Sequence, residues 1–449
     1  MKKTNLLFVL LAILLINACK NDDDTGGDDL DAQLEEALLL ASNGQGKAHF
    51  ILPASTDYNS IPQDPLNPIT SDKVNLGQLL YHETGIALAP KDDLGLGTFS
   101  CASCHFASAG FQAGRVQGIA DGGVGFGVNG EGRERDMNYP TDSLDVQPIK
   151  SPSTLNTAYQ QVMLWNGMFG ATGPNAGTEA FWTPGTPKET NNLGYEGVET
   201  QAIAGLTVHR LVMEESFLED KGYKELFDKA FPNVDETERY TREFAGLAIA
   251  AYERTLFPSE APFQKWLKGD MSAMTDQEKR GALVFFDVAK CGNCHNGPAL
   301  SSMEFHAIGM NDLYECPEEI FQASASSGAN LGRGDFTGDE EDMYKFKVPQ
   351  LYNLGDSPFY GHGSSFRSIA DVVEYKNAAI AQNAVVPSSQ LAEDFQPLGL
   401  NQSEIDDIVA FIQTGLQDDN LDRYVPNAIL SGNCFPNNDP MAQSDLGCN

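Results

Sequence analysis

Two five-residue segments constrain this chain more than anything else in it. Cys101-Ala102-Ser103-Cys104-His105 and Cys291-Gly292-Asn293-Cys294-His295 both read C-x-x-C-H. That pattern is the attachment signature of c-type haem. Its two thiols add to the vinyl groups along one edge of the macrocycle, and the adjacent histidine reaches the iron. Cys101, Cys104, Cys291 and Cys294 are therefore the expected covalent anchors, with His105 and His295 the expected iron ligands. Other chemistries for paired cysteines fit poorly. A zinc ribbon sets its second pair ~15–20 residues after the first, whereas these motifs start 190 residues apart. A thioredoxin-like site needs no following histidine and sits in a βαβ setting, of which the sequence carries no sign. Each haem needs a helical shell of its own, so the expected fold is mainly α, with two cytochrome c-type haem domains joined by long loops.

The periodicity agrees. Thr275 to Glu278 spells a capping box ahead of Leu283 to Phe286, and Ser368 to Asp371 opens another helix. Ser403 to Asp406 is expected to open a third, with Ile405, Ile408, Val409 and Ile412 on one face. Asp235 to Leu256 reads as one long helix. Alternating, strand-like stretches are scarce. Gly118 to Gly132 contains a formal G-x-G-x-x-G, but no clear strand precedes it and no amphipathic helix follows. We expect a surface loop rather than a dinucleotide site. Lys and Arg total 29 against 63 Asp and Glu, a net charge of −34. Such a chain repels phosphate backbones, which argues against nucleic acid, and attracts basic proteins.

The N-terminus carries an export pattern. Lys2 and Lys3 precede the apolar run Leu6 to Ile16, too short for the ~20 residues of a membrane span. Ala18-Cys19 follows, similar to a bacterial lipoprotein cleavage box. The expected organisation is a lipoprotein signal peptide over 1–18 and an acidic tether over 19–45 that starts at a lipid-anchored Cys19. An N-terminal haem domain is expected over 46–265, a C-terminal haem domain over 266–430, and a cysteine-containing tail over 431–449. Export would place the protein on a bacterial membrane, facing the periplasm or the cell surface. Of Cys316, Cys434 and Cys448, the last two close the shortest loop, though sequence alone does not assign a disulfide.

Further landmarks surround the motifs. They include Ser100 to Arg115 (SCASCHFASAGFQAGR), Ser151 to Trp165 (SPSTLNTAYQQVMLW), Ala248 to Thr255 (AIAAYERT), Phe346 to Asn353 (FKVPQLYN) and Pro397 to Leu400 (PLGL). In order and spacing the chain resembles the bacterial dihaem cytochrome c peroxidase family, which includes the methylamine-utilisation haem oxidase. The resemblance implies that the N-terminal haem meets peroxide and the C-terminal haem receives electrons. It makes Trp165 the relay between them and Gln201 a residue of the peroxide pocket. The family's distal glutamate falls on Leu211, which leaves His209, or else Glu214, to supply the acid/base. Some members close the peroxide haem with a loop histidine. This chain has none between His105 and His209, so that mode of reductive activation is expected to be absent. The sixth ligand of the second haem, a methionine in most peroxidases, falls on Tyr360 or His362 depending on the direction of counting, with Met310 or Met343 as further choices. Lys150 occupies the place of an asparagine in calcium-binding members, which argues against an inter-haem calcium.

These readings imply a peroxidase that reduces hydrogen peroxide with electrons from a small basic cytochrome or similar redox protein. Two rivals remain at this stage. One is an oxidase of a protein or organic substrate of the methylamine-utilisation type. The other is a non-enzymatic dihaem electron carrier.

Overall fold

The structure, a computed structural model, describes residues 26–448. The expected signal peptide and Cys19 lie outside the described residues. The chain is helix-rich, as expected. The only strands among the described residues are two short pairs, Gly123–Val124 with Glu134–Arg135 and Phe305–His306 with Phe346–Lys347.

Two apolar cores organise it, each with one C-x-x-C-H motif against it. The first is built on α2 (Ser71–His82), α3 (Gly197–Val208), α4 (Tyr223–Ala230) and α5 (Arg242–Glu253). α2 crosses α5 at Gly77, where a Cβ would lie 1.9 Å from the Ala248 carbonyl oxygen. A glycine inside a helix costs about 1 kcal/mol, and here it permits a backbone approach that no other residue allows. Arg254, fully buried just after α5, binds Glu199 of α3 through Nε at 2.8 Å and Nη2 at 2.6 Å. This bidentate pair fixes α3 against α5. The second core repeats the device. α6 (Asp276–Leu283) crosses α8 (Gln402–Ala410) at Gly281, where a Cβ would meet the Asp407 carbonyl oxygen at 1.9 Å. α7 (Ile369–Ala378) packs beside α8.

Several helix starts lie where the sequence indicates. Thr275 accepts from the Glu278 amide while Glu278 accepts from the Thr275 amide, and Ser368 and Asp371 do the same. Elsewhere the structure corrects the reading. α8 is capped by Asn401 and Glu404, two residues earlier than expected, because the Asn401 side chain reaches the Glu404 amide at 3.2 Å. The long helix expected over 235–256 is broken at Tyr240 and Thr241 into a short turn and α5.

The acidic tether is a further correction. Its described part folds as α1 (Gly26–Ala41), with Leu34 and Leu38 buried in the second core. The charge run hid a stripe of leucines spaced by four, and Asp31 is held by the Trp266 indole at 2.7 Å and by Lys279 at 2.7 Å. Residues 50–69 also pack in the second core, while Leu421 and Tyr424 pack in the first. Both ends of the chain thus cross over, which a linear division near residue 265 does not capture.

The glycine-rich loop 118–132 is mostly buried rather than a surface loop. Arg133 donates into it, to the carbonyls of Ile119 and Ala120 at 2.7 Å, and pairs with Asp439 at 3.1 Å. Asp445 accepts from the Phe126 and Gly127 amides. The tail therefore clamps the loop, and the tail is itself closed by a Cys434–Cys448 disulfide, leaving Cys316 free.

Candidate active site

Cys101–Ser103 forms a single tight turn, braced by Ser100 and Ser103, whose hydroxyls donate to the Pro436 carbonyl at 3.0 and 3.1 Å. His105 follows, with Nδ1 3.4 Å from the Phe111 carbonyl. Burial pushes its pKa down to about 4. Cys291–Asn293 forms the matching turn of the second core, and His295 Nδ1 lies 3.1 Å from the carbonyls of both Leu300 and Pro349. Burial lowers this imidazole to about 4 as well. Both rings are therefore neutral at pH 7. An Nδ1 proton directed at a carbonyl leaves the Nε2 lone pair free, the tautomer that iron ligation requires. A cavity of about 610 Å³ opens over the second motif, bordered by Cys291, Cys294 and His295. Donor set, tautomers and cavity all fit a covalently attached haem.

In the same core as the first motif, α3 carries Gln201, Gly205 and His209 along one face. A Cβ on Gly205 would lie 3.5 Å from Gln201 Nε2 and 3.9 Å from His209 Cδ2. Gln201 Oε1 is buried with no partner among the described residues, so it is free to bind a small polar guest. His209 sits at the C-terminal end of α3, and Asp145 Oδ2 holds its Nδ1 at 2.9 Å. Arg210 reaches the same Asp145 oxygen at 3.2 Å and Asp121 at 2.9 Å. Burial alone would lower the pKa of His209, but the Asp145 carboxylate outweighs it and raises the imidazole above its ordinary value. Burial alone would raise Asp145, but His209 and Arg210 hold it low. The pair is a charge-assisted hydrogen bond that orients the ring and leaves Nε2 available. Leu211 is fully buried in the first core, and Glu214 is exposed at the start of the next helical turn.

Trp165 borders the second cavity. Its indole donates to the Lys150 carbonyl at 2.8 Å, and its ring lies 6.3 Å from the His362 ring. Arg333, from the C-terminal half, fixes this turn by donating to the carbonyls of Asn166 at 3.2 Å and Gly167 at 3.0 Å. Tyr360, His362 and Met310 all border the same cavity. Tyr360 donates its phenol proton to the Leu354 carbonyl at 2.9 Å, and burial pushes its pKa up to about 12. His362 stacks on Phe346 at 3.6 Å and meets Asp312 through Nε2 at 3.0 Å. Met343 packs against Gly334 instead. Sequence reasoning missed Asp145, which stands 64 residues before its partner and carries no local motif. It also missed that Lys150 and Lys347 both border the second cavity.

Comparison with known proteins agrees with this geometry. The profile of the family described as di-haem cytochrome c peroxidase matches residues 71–272. Cytochrome c peroxidase Ccp of Escherichia coli (strain K12) is 26% identical over 385 residues, 85% of this chain and 67% of the relative. Methylamine utilization protein MauG of Methylorubrum extorquens is 28% identical over 370 residues, covering 82% of this chain and 83% of that one. Cytochrome c551 peroxidase of Nitrosomonas europaea is 26% identical over 380 residues, covering 84% and 90%. Among solved structures, a MauG-like protein associated with microbial copper homeostasis shares the fold. Its TM-score is 0.56 at 23% identity, over 82% of this chain and 95% of that one. Profile, relatives and haem-binding motifs agree: residues 71–272 match the di-haem cytochrome c peroxidase profile, most of the chain is similar to cytochrome c peroxidases and MauG, and that likeness implies two c-type haems, one at each C-x-x-C-H motif.

Proposed function

We propose that the protein reduces hydrogen peroxide to two waters, consuming two electrons and two protons, with a small redox protein as the electron source. The observation that carries this reading is the stripe of Gln201, Gly205 and His209 on α3, which packs in the same core as the first motif, with His209 oriented by Asp145. A haem held by Cys101, Cys104 and His105 would supply the redox chemistry that cleaves the O–O bond. The residues of the chain do the rest. Gln201 offers a buried, unpaired carbonyl oxygen to the peroxide. His209 takes a proton from one peroxide oxygen and delivers it to the other, so that water is the leaving group. Asp145 keeps the ring in register through that transfer, and Trp165 is the relay toward the second site. The acidic surface favours a basic donor such as a small cytochrome. Steady-state turnover of peroxide with reduced cytochrome c tests the reading, and a rate no higher than that of free haem refutes it.

A second reading, oxidation of a protein or organic substrate of the methylamine-utilisation type, is favoured by Tyr360 at the second cavity, since ligation by tyrosine resembles that branch. It predicts slow turnover of cytochromes and a long-lived oxidised state after peroxide. The export reading also belongs here. We read residues 1–18 as a signal peptide and Cys19 as a lipid anchor facing the periplasm or cell surface. Among the described residues no helix is long and apolar enough to cross a membrane. Labelling of the wild type but not of Cys19→Ala with a fatty-acid analogue tests the anchor.

A further inference from the structure

The cavity over the second motif runs against the charge of the rest of the protein. The chain has an excess of 34 negative charges, yet the ionisable groups bordering this cavity, apart from the motif itself and the histidines and tyrosines, are four lysines and two aspartates: Lys150, Lys290, Lys347, Lys376, Asp312 and Asp394. Asp312 is already taken by His362 and by Asn383 at 2.9 Å. Lys290 is exposed and pairs with Asp287. Lys376 stands near Cys291 and Cys294, at the covalent edge. Lys347 is buried but satisfied, donating to the Gln160 side chain and to the Val162 carbonyl at 2.9 Å.

Lys150 is different. It is 3% exposed, and its ammonium has one polar neighbour, Ser357 Oγ, at the limiting distance of 3.5 Å. The Phe359 ring lies 5.9 Å away. Among the described residues no carboxylate lies within 4.0 Å of it. A buried ammonium with so little compensation is strongly disfavoured unless an anion joins it. Its backbone fixes its place in the wall of this cavity: its amide donates to the His362 carbonyl at 2.8 Å and its carbonyl accepts from the Trp165 indole. A c-type haem brings two carboxylate side arms with it, the anions this cavity lacks.

We propose that Lys150 is the counter-charge for a carboxylate side arm of the haem held at Cys291, Cys294 and His295, a fixed cation beside Trp165 in the cavity wall. The inference rests on the assignment of that motif as a haem site. A positive charge paired with the side arm favours the reduced haem, so its removal lowers the midpoint potential.

The test uses the full-length holoprotein and its Lys150→Met and Lys150→Arg variants. Haem is first counted by the pyridine haemochrome spectrum. Fewer than two per wild-type chain overturns the cofactor assignment and this inference with it. With two haems present, spectroelectrochemical titration is expected to show a lower midpoint potential for one haem in K150M and a value near wild type in K150R. Potentials of K150M equal to wild type overturn the proposal. Resonance Raman of the wild type in H₂O and D₂O decides independently should K150M fail to accumulate. The propionate bending band shifts on exchange if an ammonium is bonded to it, and an unshifted band overturns the proposal.

Discussion

Replacing Asp145 by Asn tests the acid/base assignment most directly. Asp145 is 6% exposed, and its carboxylate holds His209 Nδ1 at 2.9 Å and Arg210 at 3.2 Å. The amide keeps the shape and removes the charge. A hydrogen bond to a charged group contributes roughly 1 kcal/mol more than a neutral one, so orientation of the His209 ring weakens by about that amount. At about 1.4 kcal/mol per decade, kcat/KM for peroxide should fall roughly five- to tenfold. The pH profile carries the sharper signature. Asp145 is what raises the His209 pKa against burial, so without it burial dominates and the His209-dependent limb moves to lower pH. His209→Gln should cost more, on the order of a hundredfold, the low end for loss of a general acid/base. Adding D145N to that variant should cost almost nothing further, because the two act as one unit. The assay is steady-state peroxide reduction from pH 5 to 8 with haem content held at two per chain. An unmoved limb in D145N, or a full additive loss in the double variant, refutes the reasoning.

Three further outcomes follow from the packing. Gly281→Ala places a Cβ 1.9 Å from the Asp407 carbonyl oxygen, and overpacking of about 1–3 kcal/mol should lower the thermal midpoint measurably; an unchanged midpoint contradicts the tight α6–α8 crossing. His82 is fully buried, bonded through Nδ1 to the Gln78 carbonyl at 2.8 Å, and burial lowers its pKa to about 4. The unfolded chain therefore binds this proton more readily than the folded one between about pH 6.5 and 4, and stability falls by roughly 3 kcal/mol as pH drops through that window. His82→Phe should flatten that slope in denaturant titrations, and an equally steep slope refutes the assignment. Cys434→Ser with Cys448→Ser opens a loop whose closure contributes about 3 kcal/mol in the chain-entropy picture. The tail, which holds Ser100, Ser103 and the 118–132 loop, should become the first site of limited proteolysis, and an unchanged cleavage pattern refutes it.

What could be read from the sequence was whatever is encoded within a few neighbouring residues. The C-x-x-C-H segments specify their own chemistry, because thiols one turn apart and an adjacent imidazole are a local geometry. The Thr275 and Ser368 caps are local for the same reason, and both stand in the structure. Misreadings arose where local composition competed with distant partners. The acidic run before residue 31 suggested a solvated segment, but Leu34 and Leu38 find the second core, and Asp31 finds Trp266 and Lys279. The glycines of 118–132 suggested exposure, but Arg133 and the tail residues Asp439 and Asp445 bury the loop.

The sequence by itself pointed to a helical chain holding two covalent haems, and its landmark segments carried the resemblance to the di-haem cytochrome c peroxidases. Tertiary structure alone decided which carboxylate orients His209, which lysine is left unpaired at the second cavity, and which side chains of the Ser357 to Gly363 turn reach that cavity. The reason is physical. A pKa, an ion pair or an unmet charge depends on groups brought within about 4 Å by folding, and separations such as 64 residues between Asp145 and His209 leave no periodic or motif signal in the chain.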